Sequence, residues 1–376
     1  MTGLLLAVGL LVAAFVGFNI GGSSTGVAFG PAVGSETISK LVAAGLMTGF
    51  AFAGGWTVGR NVIATMGGKI VPSDQFTLVA SVGVLFFVGF ALLVSNLFGV
   101  PASTSMTAVG AIAGLGVATG TIDWAVMGRI VAWWLVAPII AFWVCAIIGR
   151  YLYPYLDSWF GLDEATGIKA LVSKALVVGI GCYMAFSAGA SNVANAVAPL
   201  VAGGTGPLSV EQGVLLGGVT IGLGAFTIAR RTLDTVGNDL TDLPLLAALI
   251  VEVVSASLIT FLSAIGIPAS LAVSATMSII GLGWGRATRT TRLSEAASAA
   301  VQGADQPDVT VDAIAAGGTG DAGGDEVPPI GEEEAGDIAA ADLFDPRTTG
   351  RVIMLWIFTP SLSAIASYFL FRFAPI

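Results

Sequence analysis

The chain of 376 residues contains no histidine and two cysteines, and only 10% of its residues are charged. Those shortages remove most routes to covalent chemistry. Without histidine there is no imidazole base for a nucleophile and no imidazole ligand for a metal. Cys145 and Cys182 both sit inside apolar runs, so they read as packing residues, neither a disulfide framework nor a zinc site. The acids within apolar stretches are isolated, which leaves no paired carboxylates, so the sequence offers no constellation for an enzyme and implies no cofactor. No basic patch is present that would hold nucleic acid.

What the chain has is apolar length. Hydrophobic residues make up 55% and the mean hydropathy is +0.91. Stretches of roughly 18 or more apolar residues are long enough to cross a bilayer core. Candidate spans run over 3–20, 38–58, 76–98, 125–149, 170–188, 208–229, 244–266 and 352–374, with shorter apolar stretches between some of them. The start, Met1-Thr2-Gly3 followed by Leu and Val, lacks the basic region and small-residue cleavage site of a signal peptide, and is expected to be a retained span. The net charge of −9 is concentrated: 13 of the 24 acidic residues fall between Arg286 and Arg347, among Gly, Ala and Pro. Such a segment cannot bury enough apolar surface to offset its chain entropy, so 286–347 is expected to be an acidic disordered linker. Arg286, Arg289 and Arg292 on one loop, and Arg150, Lys169 and Lys174 on another, place both loops and the linker in the cytoplasm by the positive-inside rule. The same span count puts the C-terminus outside.

Two segments stand out because apolar runs turn into Gly, Ser, Asn and Pro without becoming hydrophilic. One runs from Phe18 through Asn19, Gly21, Gly22, Ser23, Ser24 and Thr25 to Pro31; the other runs from Phe186 through Ser187, Gly189, Ser191, Asn192 and Asn195 to Pro199. They align without a gap, and the correspondence continues. Gly59-Arg60 answers Ala229-Arg230, Pro101-Ala102-Ser103 answers Pro268-Ala269-Ser270, and Trp134 with Pro138 answers Trp356 with Pro360, in the same order. The span count sets equivalent loops on opposite sides of the membrane. The expected fold is an all-α integral membrane protein of two inverted-topology repeats with broken helices and re-entrant hairpins, the substrate site lying at the breaks. The first repeat is expected over 1–150, the second over 151–285 with a last helix over 348–376, the linker being inserted before that helix.

The Pro-Ala-Ser elements read as hairpin tips that start a helix, since proline suits a first helical turn. Ser103, Thr104 and Ser105 then set hydroxyls beside free backbone N–H groups, which is a ready anion site without a full positive charge. Ser270 opens the second tip, where Ser274 and Thr276 are more widely spaced. Ordinary helix capping is the other reading of each of these hydroxyls taken singly.

At these residues the chain resembles the inorganic phosphate transporter (PiT) family, whose halves each carry a Gly-Ala-Asn-Asp-Val-Ala-Asn-Ala motif and a later Pro-x-Ser-Thr-Thr-His hairpin. Gly189 to Ala196 matches the first with two departures and Gly99 to Ser105 matches the second approximately. The resemblance implies that the hairpin hydroxyls of Ser103, Thr104, Ser105 and Ser270, with Ser23 and Ser191, face the oxyanion. It implies that Asn192 and Asn195, with Ser24 and Asn19 in the first half, face a coupling cation. Ser24 and Asn192 stand where the family motif has Asp, and Met106 stands where its hairpin often has His. Losing both carboxylates weakens the case for sodium and leaves a site richer in donors. Phe18-Asn19-Ile20-Gly21, Asn96 to Ser105 and Phe186 to Val197 are closer to the bacterial sulfate permease branch.

Sulfate and phosphate are tetrahedral oxyanions of similar size that differ in protonation: sulfate needs donors only, whereas a protonated phosphate benefits from an acceptor. The reading is a secondary-active oxyanion permease of the cell membrane working by alternating access, sulfate ahead of phosphate, coupled to Na+ or H+. A sodium- or proton-coupled phosphate transporter is the alternative, and an anion channel or sensor on the same fold a further one. Glu252, in the middle of a span, is a candidate for proton coupling. Its other readings are a carboxyl facing a wet cavity or pairing with Arg230 or Arg231. The expected partners are the oxyanion and the lipid bilayer, and a homodimer is compatible with the pattern.

Overall fold

The structure is a computed structural model, and it describes residues 2–97, 103–160, 167–228, 244–290 and 346–374. Among the described residues the regular secondary structure is helical throughout. The first half comprises α1 (Thr2–Gly34), α2 (Lys40–Trp56), α3 (Gly59–Met66), α4 (Leu78–Leu97), α5 (Thr104–Thr119) and α6 (Trp124–Ile147). A π-helical turn, Ile148–Leu152, leads into α7 (Tyr153–Phe160). Then come α8 (Ile168–Val201), α9 (Val210–Thr227), α10 (Leu245–Ala264), α11 (Leu271–Ala287) and α12 (Pro346–Phe373). Most of the acidic segment, Arg230, Arg231 and the Pro101 side of the first tip lie outside the described residues.

The broken span is not at the motifs. Both motifs lie inside continuous helices, α1 of 33 residues and α8 of 34, so the spans expected over 3–20 and 170–188 cover only a little over half of the real elements. At 1.5 Å per residue each is roughly 50 Å long, against a hydrocarbon core of about 30 Å, so each must tilt strongly or reach well beyond the core. The break lies at Thr57 and Val58, where α2 and α3 meet at 59°. The motif's polar side chains are tolerated in helix because they bond back to their own backbone: Thr25 Oγ1 donates to Gly21 O at 2.6 Å and Ser23 Oγ to Ile20 O at 3.1 Å.

Its glycines serve close approach. A Cβ built on Gly21 would collide with the carbonyl of Ile221, and one on Gly224 with that of Phe18. In the other half a Cβ on Gly189 would collide with the carbonyl of Ala51, and one on Gly54 with that of Phe186. The aligned motifs make these the same two contacts, seen once in α1 against α9 and once in α8 against α2. Hairpin helices follow the same exchange. Gly114 on α5 abuts Ala364 on α12, and Gly281 on α11 abuts Phe142 on α6. Small residues let helix backbones meet in a membrane, where apolar burial alone gives no preference for helix over lipid. Each half therefore completes the other, an arrangement consistent with a two-fold relation between inverted repeats.

Helix starts repeat in pairs as well. Ser39 caps α2 and Ser209 caps α9; Ser103 caps α5 and Ser270 caps α11. Each such cap is worth about 1 kcal/mol. Asp123, in the loop before α6, caps that helix through the N–H groups of Ala125 and Val126, and Glu211 lies in the first turn of α9, 3.1 Å from Arg60. Cys145 and Cys182 are both buried, in the packing role expected for them. Large exposed side chains such as Leu135, Ile139 and Trp143 on α6 and Leu215, Val219 and Leu223 on α9 form apolar outer faces fit for lipid.

Candidate functional site

The N-termini of α5 and α11 point into the region where α1 and α8 carry their motifs. Ser103 Oγ accepts from Met106 N at 3.3 Å, and Ser270 Oγ accepts from Val273 N at 3.3 Å, so the two tips share one cap geometry. Between them lies a cavity of about 110 Å³, smaller than the several hundred Å³ typical of pockets for organic ligands. Asn19, Ser23 and Ser24 of α1, Thr104 and Ser105 of α5, Asn192 of α8 and Ser270 supply its polar wall. Its apolar wall is Ile20, Val27, Leu92, Leu271 and Ala272. Among the described residues, no acidic or basic side chain lines it.

A buried hydrogen-bond chain stands behind the polar wall. Asn195 Nδ2 donates to Ser105 Oγ at 3.0 Å and to Asn192 Oδ1 at 3.0 Å. With its oxygen taken by Asn195, the Asn192 amide has its N–H groups left for the cavity. Ser105, accepting from Asn195, keeps its own proton to donate, either into the cavity or to Ser191 Oγ at 3.3 Å. Ser191 Oγ in turn donates to Ala269 O at 2.7 Å and so ties the second tip to the first. Trp134 Nε1 holds the same tip through Pro268 O at 2.7 Å. Ser24 and Thr104 line the cavity with hydroxyls that no other protein group engages among the described residues.

The candidates from the sequence therefore divide. Ser23, Ser24, Asn19, Thr104, Ser105, Asn192 and Ser270 share one cavity, and those expected to face an anion mix with those expected to face a cation. Ser103, Ser191 and Asn195 stand behind the wall as a cap, a tie and an orienting amide. Asn195 is 1% exposed and its Oδ1 has no hydrogen-bond partner among the described residues. Glu252 lies apart from the cavity, on α10, 5% exposed and with no partner for Oε1. One turn along, Ser255 Oγ is 3.2 Å from Ser278 Oγ. The alternative partners Arg230 and Arg231 fall outside the described residues. Sequence reasoning passed over Leu271 and Ala272; setting Pro101-Ala102-Ser103-Thr104-Ser105 over Pro268-Ala269-Ser270-Leu271-Ala272 exposes them, because the two hydroxyls of the first tip have no counterparts in the second.

Two helix starts converging on a small, donor-lined cavity between exchanged halves make an anion-transporter arrangement, and the comparisons agree. The model of the phosphate transporter family matches residues 20–367. The chain belongs to the phosphate transporter family. Sulfate permease CysP of Bacillus subtilis (strain 168) is 33% identical over 275 residues, which cover 73% of this chain and 76% of that protein. Human sodium-dependent phosphate transporter 1 is 30% identical over 143 residues, 36% of this chain and 21% of that protein. A solved structure titled the sodium-dependent phosphate transporter matches with a TM-score of 0.67 at 18% identity, covering 99% of this chain and 98% of that one. That last likeness shows the fold. The protein is thus a multi-pass membrane transporter of an anion-transporting family.

Proposed function

We propose that this transporter moves a tetrahedral oxyanion, sulfate in preference to phosphate, across the cell membrane by alternating access. The observation that carries the reading is the wall between the two tips, in which Ser24, Thr104, Ser105 and Asn192 offer donors and, among the described residues, no carboxylate intrudes. Charged side chains are not required where helix N-termini and hydroxyls act together. A wall of hydroxyls and an amide, with no carboxylate among the described lining residues to take a proton, suits sulfate, which carries none to place. The relative named sulfate permease, at 33% identity over most of both chains, supports the same preference.

Phosphate coupled to sodium is the second reading, supported by the relatives named sodium-dependent phosphate transporters and by Asn195 Oδ1, a buried oxygen with no hydrogen-bond partner that is fit for a hard cation. Proton coupling would instead engage Glu252, whose buried carboxyl is the acid expected to act in a transport cycle. Reconstitution in liposomes with labelled sulfate or labelled phosphate, under a sodium gradient in one series and a proton gradient in the other, separates these. Saturable sulfate uptake without sodium supports the proposal, sodium-driven phosphate uptake replaces it with the second reading, and uptake of neither anion refutes both.

A further inference from the structure

The two tips are equivalent in position and cap but not in chemistry. The first presents Thr104 and Ser105 to the cavity, and the second presents Leu271 and Ala272 at the matching places. Leu92, Ile20 and Val27 add further apolar lining. A symmetric oxyanion has four equivalent oxygens, each of which loses water on entering. Hydroxyl and amide side chains of α1, α5 and α8 offer donors to such an anion, whereas past Ser270 the second tip offers only the backbone N–H groups of its helix start, because the side chains of Leu271 and Ala272 return no hydrogen bond. Among the described residues no basic side chain lines the cavity, and there a single negative charge is desolvated at less cost than a double one.

Resting on the oxyanion reading above, we propose that this cavity also takes short alkanesulfonates: anions with three sulfonate oxygens, one charge and an apolar fourth substituent. The three oxygens meet the polar wall at Thr104, Ser105, Asn192 and Ser24. The methyl of methanesulfonate meets Leu271 and Ala272. On this account Leu271 and Ala272 set specificity, because replacing them with hydroxyl residues adds side-chain donors where the apolar substituent would sit. The small size of the cavity limits the substituent, so methanesulfonate fits and a long-chain sulfonate does not.

The test measures labelled sulfate uptake into proteoliposomes with methanesulfonate, hexanesulfonate or phosphate as competitor, and direct uptake of labelled methanesulfonate. In the wild-type protein, methanesulfonate competes within about tenfold of unlabelled sulfate, roughly the value of one hydrogen bond, and hexanesulfonate does not compete. The variant Leu271→Thr/Ala272→Ser takes up sulfate with higher apparent affinity and needs about tenfold more methanesulfonate for the same inhibition. Ala272→Ser alone, the smaller change, shifts both in the same directions and guards against loss of folding in the double variant. If sulfate enters but methanesulfonate neither competes nor enters, or if the variants change both anions alike, this inference fails while the oxyanion reading stands. If no oxyanion enters, the oxyanion reading itself fails and this inference with it.

Discussion

The two hairpin tips share a scaffold and differ in what they offer a ligand. α4 and α10 are both 20 residues long, each is followed by a Pro-Ala-Ser element, and Ser103 and Ser270 cap the helices that follow in the same way. Past the cap they diverge: Thr104 and Ser105 against Leu271 and Ala272. The divergence continues towards the helix interior, where Leu85, Val88 and Ala111 of the first half stand opposite Glu252, Ser255 and Ser278 of the second. The first half thus concentrates polar groups at the cavity, and the second concentrates them away from it. The two halves share an architecture, and their departures from it separate the polar lining of the cavity from Glu252, Ser255 and Ser278.

Changes to the shared scaffold should be the most damaging and equal in both halves. Gly21→Leu and Gly189→Leu each force a side chain into a facing carbonyl, and overpacking of this kind costs about 1–3 kcal/mol or more. Both variants should lose most folded protein in size-exclusion chromatography of detergent extracts; a large difference between them would break the equivalence of the halves. Tip variants should be unequal instead. Ser105→Ala removes a hydroxyl that also accepts from Asn195, and is expected to lower sulfate uptake by about tenfold or more. Ser270→Ala removes mainly a cap worth about 1 kcal/mol and should change uptake a few-fold at most. Glu252→Gln sharpens the second half of the comparison. Uptake driven by a proton gradient should fall while gradient-free sulfate exchange persists, and an unchanged response to the gradient would remove Glu252 from coupling. Asn192→Ala should alter cation dependence, read as sulfate uptake over a sodium titration, if that amide serves a cation; a loss of affinity alone would assign it to the anion.

Much of this architecture was legible in the sequence because apolar length and Pro-Ala-Ser placement are strong signals. α2, α4, α6, α9 and α10 begin and end within about two residues of their expected spans. The motif helices were misjudged for a definite reason. Gly, Ser and Asn in an apolar run signal either a broken backbone or close helix contact, and only the partner carbonyls of Ile221 and Ala51 decide between them. The candidate site was legible as a set of residues but not as layers. That Thr104 and Ser24 line the cavity while Ser103 and Ser191 stand behind it depends on side-chain direction, which spacing alone does not supply. The apolar wall was missed because attention to polar residues overlooks what a duplicated site has lost. Expectations about the acidic segment, and about Arg230 and Arg231, fall outside the described residues.

The central claim is that an oxyanion binds between the two tips against the Ser105 and Thr104 hydroxyls. Titration calorimetry of sulfate into purified wild-type protein and Ser105→Ala tests it most directly. The account predicts a single saturable site in the wild type, weakened about tenfold or more in the variant, which still elutes as folded protein. Equal affinity in the two proteins would contradict it and place the anion elsewhere.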